Sequence, residues 1–114
     1  MTDDYNTPDW IRDMFDGYFD PCPFNPNWEI DGLKLDWKDK TFVNPPYSNP
    51  LPWVEKGIEE NKKGKKIVFL LKLDCSTKWF RYLHEAKAHI IFINERVKFN
   101  GKTPPFCCAL FILS

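Results

Sequence analysis

The 114-residue sequence lacks three features that would each assign it to a broad class of protein. Its uninterrupted apolar runs, such as residues 67–71, are far shorter than the ~20 residues that a helix needs to cross a bilayer. Its first residues, "MTDDYN", are acidic and polar, unlike a secretory leader. Its four cysteines show no paired C-x₂-C spacing, which favours free thiols, buried or half-buried, and no metal site. We therefore expect a cytoplasmic protein that does not associate with membranes.

The chain also has no net charge, but its charges are unevenly distributed. Residues 1–60 carry 13 acidic and 5 basic side chains, a balance of −8, and residues 61–114 carry 3 and 11, a balance of +8. Such halves either attract one another within the fold or present a basic face to a polyanion. The distribution alone does not decide between these interpretations.

What the sequence does contain is an alternation of helical and apolar segments, which we interpret as a single domain over residues 1–114. The 43% hydrophobic and 17% aromatic content indicates a packed core. We predict a first helix capped by Thr7 and ended by Gly17, a second from Pro52 to Asn61, and a third capped by Ser76. The predicted strands are "YFDPCPF", "TFV", "KIVFLLKL", "HIIFIN" and "FCCALFILS".

Two of these strands, "KIVFLLKL" and "HIIFIN", are continuously apolar instead of alternating between apolar and polar residues. This pattern is typical of strands that are covered on both faces of a parallel sheet. Strands that alternate with helices predict an α/β fold. Because such sheets bind ligands beyond the carboxyl ends of their strands, Asn44, which directly follows "TFV", is a candidate site residue.

The stretch "TFVNPPYSNP" ends its strand in a rigid corner. Pro45 and Pro46 donate no backbone hydrogen bond and fix their own φ angles, and a residue before proline avoids helical geometry. The corner offers two acceptors, the Asn44 amide oxygen and the Pro45 carbonyl, followed by the ring of Tyr47. Two acceptors outside the plane of an exocyclic amine, such as adenine N6, would localise its lone pair towards an electrophile. Tyr47 would then stack on a base flipped out of its duplex.

Six segments in a fixed order resemble the phage-type DNA N6-adenine methyltransferases, a Dam-like family that uses S-adenosylmethionine. They extend over nearly the whole chain, and "NPPYS" matches the catalytic motif of amino-methyltransferases. The segments are "TPDW", "FDPCP", "DGLKLDW", "TFVNPPYS", "STKWF" and "ERVKF". The resemblance implies a reduced Rossmann-like fold of about five strands, mostly parallel with an antiparallel last strand. It also implies DNA as the substrate and a viral or phage origin.

The resemblance further implies three groups of site residues. The catalytic group is Asn44, Pro45, Pro46 and Tyr47. The group that binds S-adenosylmethionine is Thr7, Pro8, Asp20, Pro21, Cys22, Asp36 and Trp37. The group that binds DNA is Ser76, Thr77, Trp79, Arg96 and Phe99. Structural roles are the alternative for several of them: Asp20 at a strand end, Asp36 in a turn, Trp37 and Trp79 in the core, and Cys22 in packing.

The sequence departs from the usual methyltransferase pattern in two ways. Most methyltransferases of this fold hold the donor with a glycine-rich turn after the first strand, whereas "DPCPFNPN" contains no glycine. The segment between "FDPCPF" and "TFVNPP" is too short for two further strands with their helices. Because no separate recognition domain fits in this length, either the basic second half binds DNA unaided, or a second copy in a homodimer or a partner protein supplies the further contacts to DNA.

Other functions are also compatible with these residues. Methylation of cytosine N4 is one, although serine in place of Asn44 would be more typical for it. Methylation of a protein glutamine is another, because "NPPY" serves that chemistry too. An alternative from a different class is a nucleic-acid-binding protein that derives from a methyltransferase but no longer catalyses methyl transfer. Retention of S-adenosylmethionine or its demethylated product by the purified protein separates the enzymes from this last alternative.

Overall fold

The computed structural model describes residues 6–23, 31–99 and 101–114. Within these ranges the chain forms three α-helices, one 3₁₀ turn and one four-stranded sheet. The helices are α1 (Asp9–Met14), α2 (Leu51–Lys62) and α3 (Lys78–Glu85), and the 3₁₀ turn is Gly32–Lys34. The strands are β1 (Lys40–Val43), β2 (Lys66–Lys72), β3 (His89–Phe92) and β4 (Cys108–Leu113). The predicted α/β class is therefore confirmed.

The sheet is mixed, with the strand order β1-β2-β4-β3. β1 and β2 are parallel, and β4 is antiparallel to both β2 and β3, so the predicted antiparallel last strand is confirmed. The prediction of about five strands is not confirmed, because the described residues form four. The "YFDPCPF" segment, whose last residue lies outside the described part, contributes only an isolated bridge between Phe19 and Thr41. Pro21 and Pro23 follow the bridge, and neither can donate to a ladder.

β2 is the strand around which the core is built. Its residues Ile67–Leu71 are all completely buried. The odd-numbered side chains pack in one cluster with Trp79 and Leu83 of α3, and the even-numbered ones pack in another with Ile11 of α1 and with Phe99. The prediction that this strand is covered on both faces is confirmed.

β3 differs from that prediction because it is an edge strand, paired in the described sheet with β4 alone. Its side chains Ile91 and Phe92 are 49% and 69% exposed. The prediction that "HIIFIN" is covered on both faces is therefore wrong. A continuous apolar run does not distinguish a central strand from an edge strand, since the neighbours that cover a strand are set by the sheet order.

The second helix lies within one residue of its predicted bounds at each end. The third begins one residue later than predicted, because Thr77 and not Ser76 caps it. The Thr77 hydroxyl accepts a hydrogen bond from the Phe80 N–H at 3.3 Å. The Ser76 hydroxyl instead donates to the Asp74 carboxylate at 2.6 Å.

The first helix is shorter than predicted and has no side-chain cap. Pro8 occupies the capping position, and the helix ends at Met14, before Gly17, whose φ of +83° belongs to the following turn. Thr7 does not cap the helix, because its hydroxyl accepts a hydrogen bond from the Asn44 side chain. The predicted cap is thus a link between α1 and the corner after β1.

A buried carboxylate connects α2 to the segment before β1. Glu60 is completely buried, and its oxygens lie 2.6 Å from Lys65 Nζ, 2.8 Å from Lys63 Nζ and 3.7 Å from Lys56 Nζ. It also accepts a hydrogen bond from the Trp37 backbone N–H at 2.7 Å. Burial opposes ionisation, but the hydrogen bonds from Lys63, Lys65 and Trp37, together with the charge of Lys56, outweigh it and lower the pKa of Glu60 to about 2. We call these five residues the Glu60 cluster.

Candidate active site

The corner Asn44–Tyr47 directly follows β1, at the carboxyl end of that strand. Because β1 and β2 are parallel, the same edge of the sheet carries residues 73–77, which lead from β2 into α3. This is the edge at which α/β sheets bind ligands. The corner and the start of α3 therefore lie where the chemistry of such a fold is expected.

The Asn44 side chain is held in a defined orientation. Its Nδ2 donates to Thr7 Oγ1 at 2.9 Å, and Thr7 is itself buried. Arg12 of α1 donates to the Thr7 carbonyl at 3.0 Å and to Asn6 Oδ1 at 2.9 Å, which fixes the segment that holds Asn44. The bond to Thr7 sets the plane of the amide and the direction of Oδ1. Oδ1 is shielded from solvent, so an incoming base must displace the atoms that cover it.

A cavity of about 630 Å³ opens beside this corner, and we call it the Asn44 cavity. Its volume is in the range of small-molecule sites, roughly 300–1,000 Å³. Three carboxylates and three aromatic rings contribute to its wall: Asp13, Asp16, Asp20, Phe15, Tyr18 and Phe42. The cavity therefore combines apolar faces with acceptors that suit hydroxyl or ammonium groups.

Asp20 is the carboxylate with the most constrained surroundings. Burial raises its pKa, although the hydrogen bond from the Cys22 N–H and the charge of Arg12 act in the opposite direction. The Cys22 bond is 2.9 Å long and holds Asp20 Oδ1 in a short turn. Asp20 is thus a positioned acceptor on the cavity wall.

The structure brings together six of the residues predicted for the catalytic and donor-binding groups. These six line the Asn44 cavity: Thr7, Asp20, Cys22, Asn44, Pro45 and Pro46. Pro8 and Pro21 adjoin lining residues in the chain without lining the cavity themselves. Asp13 of α1 and Asp16 of the following turn line it as well. The sequence did not single them out, because exposed acidic residues usually belong to a solvated surface.

Asp36 and Trp37 lie away from the cavity wall. Asp36 is exposed and forms a 3.8 Å ion pair with Lys63. Trp37 is buried, and its Nε1 donates to the Gly32 carbonyl at 2.8 Å. A side chain at Gly32 would approach the Pro21 carbonyl oxygen to 2.0 Å. The "DGLKLDW" segment therefore packs behind Pro21, and its assignment to donor binding stays a prediction.

Tyr47 points along the sheet face opposite to α2 and α3. Its hydroxyl donates to the Leu70 carbonyl at 3.1 Å and lies 3.8 Å from Cys108 Sγ. Its ring centroid lies 5.8 Å from that of Phe99 and 5.5 Å from that of Phe106. Phe99, which was predicted to contact DNA, is completely buried beside Tyr47. Stacking of Tyr47 on a base stays a prediction.

The other residues predicted to bind DNA lie in different surroundings. Trp79 is in the core at 8% exposure, whereas Arg96 is exposed. Ser76 and Thr77 line a second cavity of about 580 Å³, which we call the α3 cavity. Its remaining lining residues are Cys75, Lys78, Phe80, Arg81 and His84.

The cysteines differ in their exposure. All four are free; Cys75 and Cys107 are exposed, contrary to the expectation of buried or half-buried thiols. Burial raises the pKa of the Cys108 thiol to about 11, although its hydrogen bond with Tyr47 lowers it. Within 6–23, 31–99 and 101–114, no group of three or more metal-binding side chains converges. No helix in the same ranges is long and apolar enough to cross a membrane.

An α/β sheet with an Asn-Pro-Pro-Tyr corner and a small-molecule cavity at its strand ends is compatible with a methyltransferase-like fold. A family model described as DNA N-6-adenine-methyltransferase (Dam) matches residues 1–105, and the chain belongs to this family. The resemblance inferred from the sequence is therefore confirmed.

Two phage proteins are similar to the chain, and both are named DNA N-6-adenine-methyltransferase. The protein of Haemophilus phage HP1 (strain HP1c1) is 34% identical over 115 residues, which cover 85% of this chain and 66% of the relative. The protein of Escherichia phage T1 is 33% identical over 113 residues, which cover 77% of this chain and 48% of the relative. The chain thus spans about two thirds and about half of their lengths. No solved structure matches it.

Proposed function

We propose that the chain transfers a methyl group from S-adenosylmethionine to the exocyclic N6 of adenine in DNA, on a reduced Rossmann-like fold. The observation that carries this proposal is the position of Asn44: it follows β1, is oriented by Thr7 and lines the Asn44 cavity. Membership of the DNA N-6-adenine-methyltransferase family and the names of the phage relatives support it.

The Asn44 cavity fits S-adenosylmethionine in size and in chemistry. Asp20 and its neighbours Asp13 and Asp16 are acceptors for the ammonium and ribose hydroxyl groups, and their charge suits a positively charged sulfonium. The rings of Phe15 and Phe42, stacked with centroids 5.0 Å apart, offer an apolar surface for a purine. When bound, the donor supplies an electrophilic methyl group. The residues of the chain then have to bring an amine towards it.

Asn44 and the Pro45 carbonyl orient that amine. Each accepts one N–H of adenine N6, which localises the nitrogen lone pair towards the cavity. Positive charge grows on N6 during attack, and an oriented amide oxygen stabilises this charge more than the starting amine. No strong base is required, because the proton leaves to solvent after the nitrogen has become cationic. Thr7 contributes by fixing the plane of the Asn44 amide.

The test is single-turnover methylation of an adenine-containing duplex with labelled donor. We expect Asn44→Ala to lower the rate by about 10²–10³ while leaving donor affinity nearly unchanged. Asn49→Ala is the matched control, because Asn49 is an exposed amide two residues after the corner. Donor at a hundredfold above its dissociation constant should stabilise the parent by about 2.7 kcal/mol. An Asn44→Ala variant that methylates like the parent would overturn the assignment.

Identification of the methylated product distinguishes the remaining alternatives. N6-methyladenine in the digested duplex supports the proposal, whereas N4-methylcytosine redirects it to a different base. Methylation of a glutamine-containing peptide without methylation of DNA redirects it to a protein substrate. Binding of DNA without donor binding, and without transfer to any of these substrates, identifies the chain as a nucleic-acid-binding relative without turnover.

A further inference from the structure

We propose that the exposed face of α3 binds the phosphate backbone of the substrate DNA through Lys78 and Arg81. The identity of the polyanion rests on the proposed function, whereas the existence of an anion-binding surface rests on the geometry of α3. The inference concerns positioning of the duplex, not recognition of its sequence, because phosphate contacts carry no base information directly.

The first observation is that two cations contact the same aromatic ring and form no ion pair among the described residues. Lys78 Nζ and Arg81 Cζ each lie 5.8 Å from the centroid of the Tyr82 ring. Both residues are exposed, and neither forms an ion pair within the described residues. The nearby Asp74 carboxylate accepts from Ser76 and pairs with Lys72 at 3.7 Å. Unpaired positive charge is thus concentrated on one face of the helix.

The second observation is the location of this face. α3 begins at the sheet edge that carries Asn44, because β1 and β2 are parallel neighbours, about 4.8 Å apart. Lys78 and Arg81 also line the α3 cavity, together with the hydroxyl-bearing residues Ser76 and Thr77. Lys and Arg side chains are common phosphate contacts in protein–DNA complexes. The Ser76 and Thr77 hydroxyls donate to Asp74 instead, so the proposal rests on the two cations.

The third observation is that the opposite side of the corner repels DNA. The Asn44 cavity carries Asp13, Asp16 and Asp20, and like charges disfavour the approach of phosphates there. A duplex that delivers a base to Asn44 therefore approaches from the side of α3. The −8 and +8 halves of the sequence then have separate roles, one for the cationic donor and the other for the polyanion.

The experiment compares duplex binding by the full chain and by a Lys78→Gln/Arg81→Gln variant over a range of salt concentrations. Each lost phosphate contact should reduce the magnitude of the slope of log K against log[salt] by about 0.9. The slope of the double variant should therefore be smaller by nearly two. Affinity should fall about tenfold or more at low salt. The KM for DNA should rise, while single-turnover methylation at saturating duplex and donor affinity stay at the parent level.

The matched control is Lys34→Gln/Lys38→Gln, which removes the same charge from two exposed lysines of the acidic half. The inference is overturned if this control changes the slope equally, since net charge alone would then explain it. A Lys78→Gln/Arg81→Gln variant with the slope of the parent also overturns it, as does a parent that binds no DNA. Failure of methyl transfer by the parent, with salt-dependent binding intact, contradicts the proposed function and leaves this inference standing.

Discussion

The two ends of β1 are both fixed by polar side chains, but by different means. At its amino end, the Glu60 cluster binds the Trp37 backbone with a buried carboxylate whose charge is matched by lysines. At its carboxyl end, Asn44 is held by a neutral hydroxyl, that of Thr7, on the wall of a cavity. The first arrangement is charged and remote from the cavity, whereas the second is neutral and borders it.

Under the proposed function, this difference separates stability from chemistry along one short strand. A buried ion pair is costly to break, because the remaining charge loses its compensation. An amide on a rigid corner contributes little packing, but its orientation matters when charge develops on a substrate. We therefore expect substitutions in the Glu60 cluster to change the free energy of unfolding, and substitutions of Asn44 or Thr7 to change the rate of methyl transfer.

The largest expected effect is at the amino end. Glu60→Gln should lower the free energy of unfolding by about 3–5 kcal/mol, because it leaves Lys63 and Lys65 beside a neutral group. Denaturant unfolding measures this loss. Glu59→Gln is the matched control: the neighbouring glutamate is exposed, and its substitution should change stability by less than about 0.5 kcal/mol. Equal effects of the two substitutions would contradict a structural role for the Glu60 cluster.

The same carboxylate should also contribute to acid sensitivity. Its pKa is lowered from an ordinary value of 4.5 to about 2, so its stabilising effect is complete above pH 4.5 and is lost as the pH falls towards 2. Thermal melts between pH 6 and 3 should therefore show that the parent loses more stability on acidification than the Glu60→Gln variant does. Curves for the two proteins that remain parallel over this range would contradict the ion-pair interpretation.

The amino end of β1 is also where the sequence was least informative. A glutamate among lysines on a helix predicts a solvent-exposed face. The partners of Glu60 at residues 37 and 65 come into contact with it only in the folded chain. By contrast, the corner was predictable, because two consecutive prolines restrict the backbone locally whatever surrounds them. The buried run of β2 and the periodicity of α3 were predictable for the same reason, since each depends on neighbouring residues.

The link between Thr7 and Asn44 was not predictable, because it joins residues 37 positions apart. The sequence placed Thr7 both as a helix cap and beside the donor, and the hydroxyl instead bonds the catalytic candidate. The sequence also did not predict which segments lie at the edges of the sheet. Phe19 forms a single bridge and β3 is exposed, although both segments carry ordinary strand residues. In each case the outcome depends on which elements become neighbours.

A smaller effect is expected at the carboxyl end, from Thr7→Val. The substitution keeps the shape of the side chain and removes the acceptor for Asn44 Nδ2, a bond worth about 1 kcal/mol. Because the amide then loses its fixed plane, we expect kcat to fall about fivefold to tenfold, with a smaller change in the KM for donor. Thr7→Ser keeps the hydroxyl and should restore most of the rate. A Thr7→Val enzyme with the kcat of the parent would show that Asn44 needs no orienting partner.

The smallest expected effect is that of Tyr47→Phe, which tests how the corner is attached to the sheet. The Tyr47 hydroxyl donates to the Leu70 carbonyl at 3.1 Å, so its removal should lower the free energy of unfolding by about 1 kcal/mol. The methylation rate should change by less than about threefold, because stacking on a base needs the ring and not the hydroxyl. Tyr47→Ala removes the ring that packs against Phe99 and Phe106, and should lower both stability and the use of the flipped base. If Tyr47→Phe instead loses most of its methylation at unchanged stability, the hydroxyl acts in the reaction, and the carboxyl end of β1 carries a second chemical group besides Asn44.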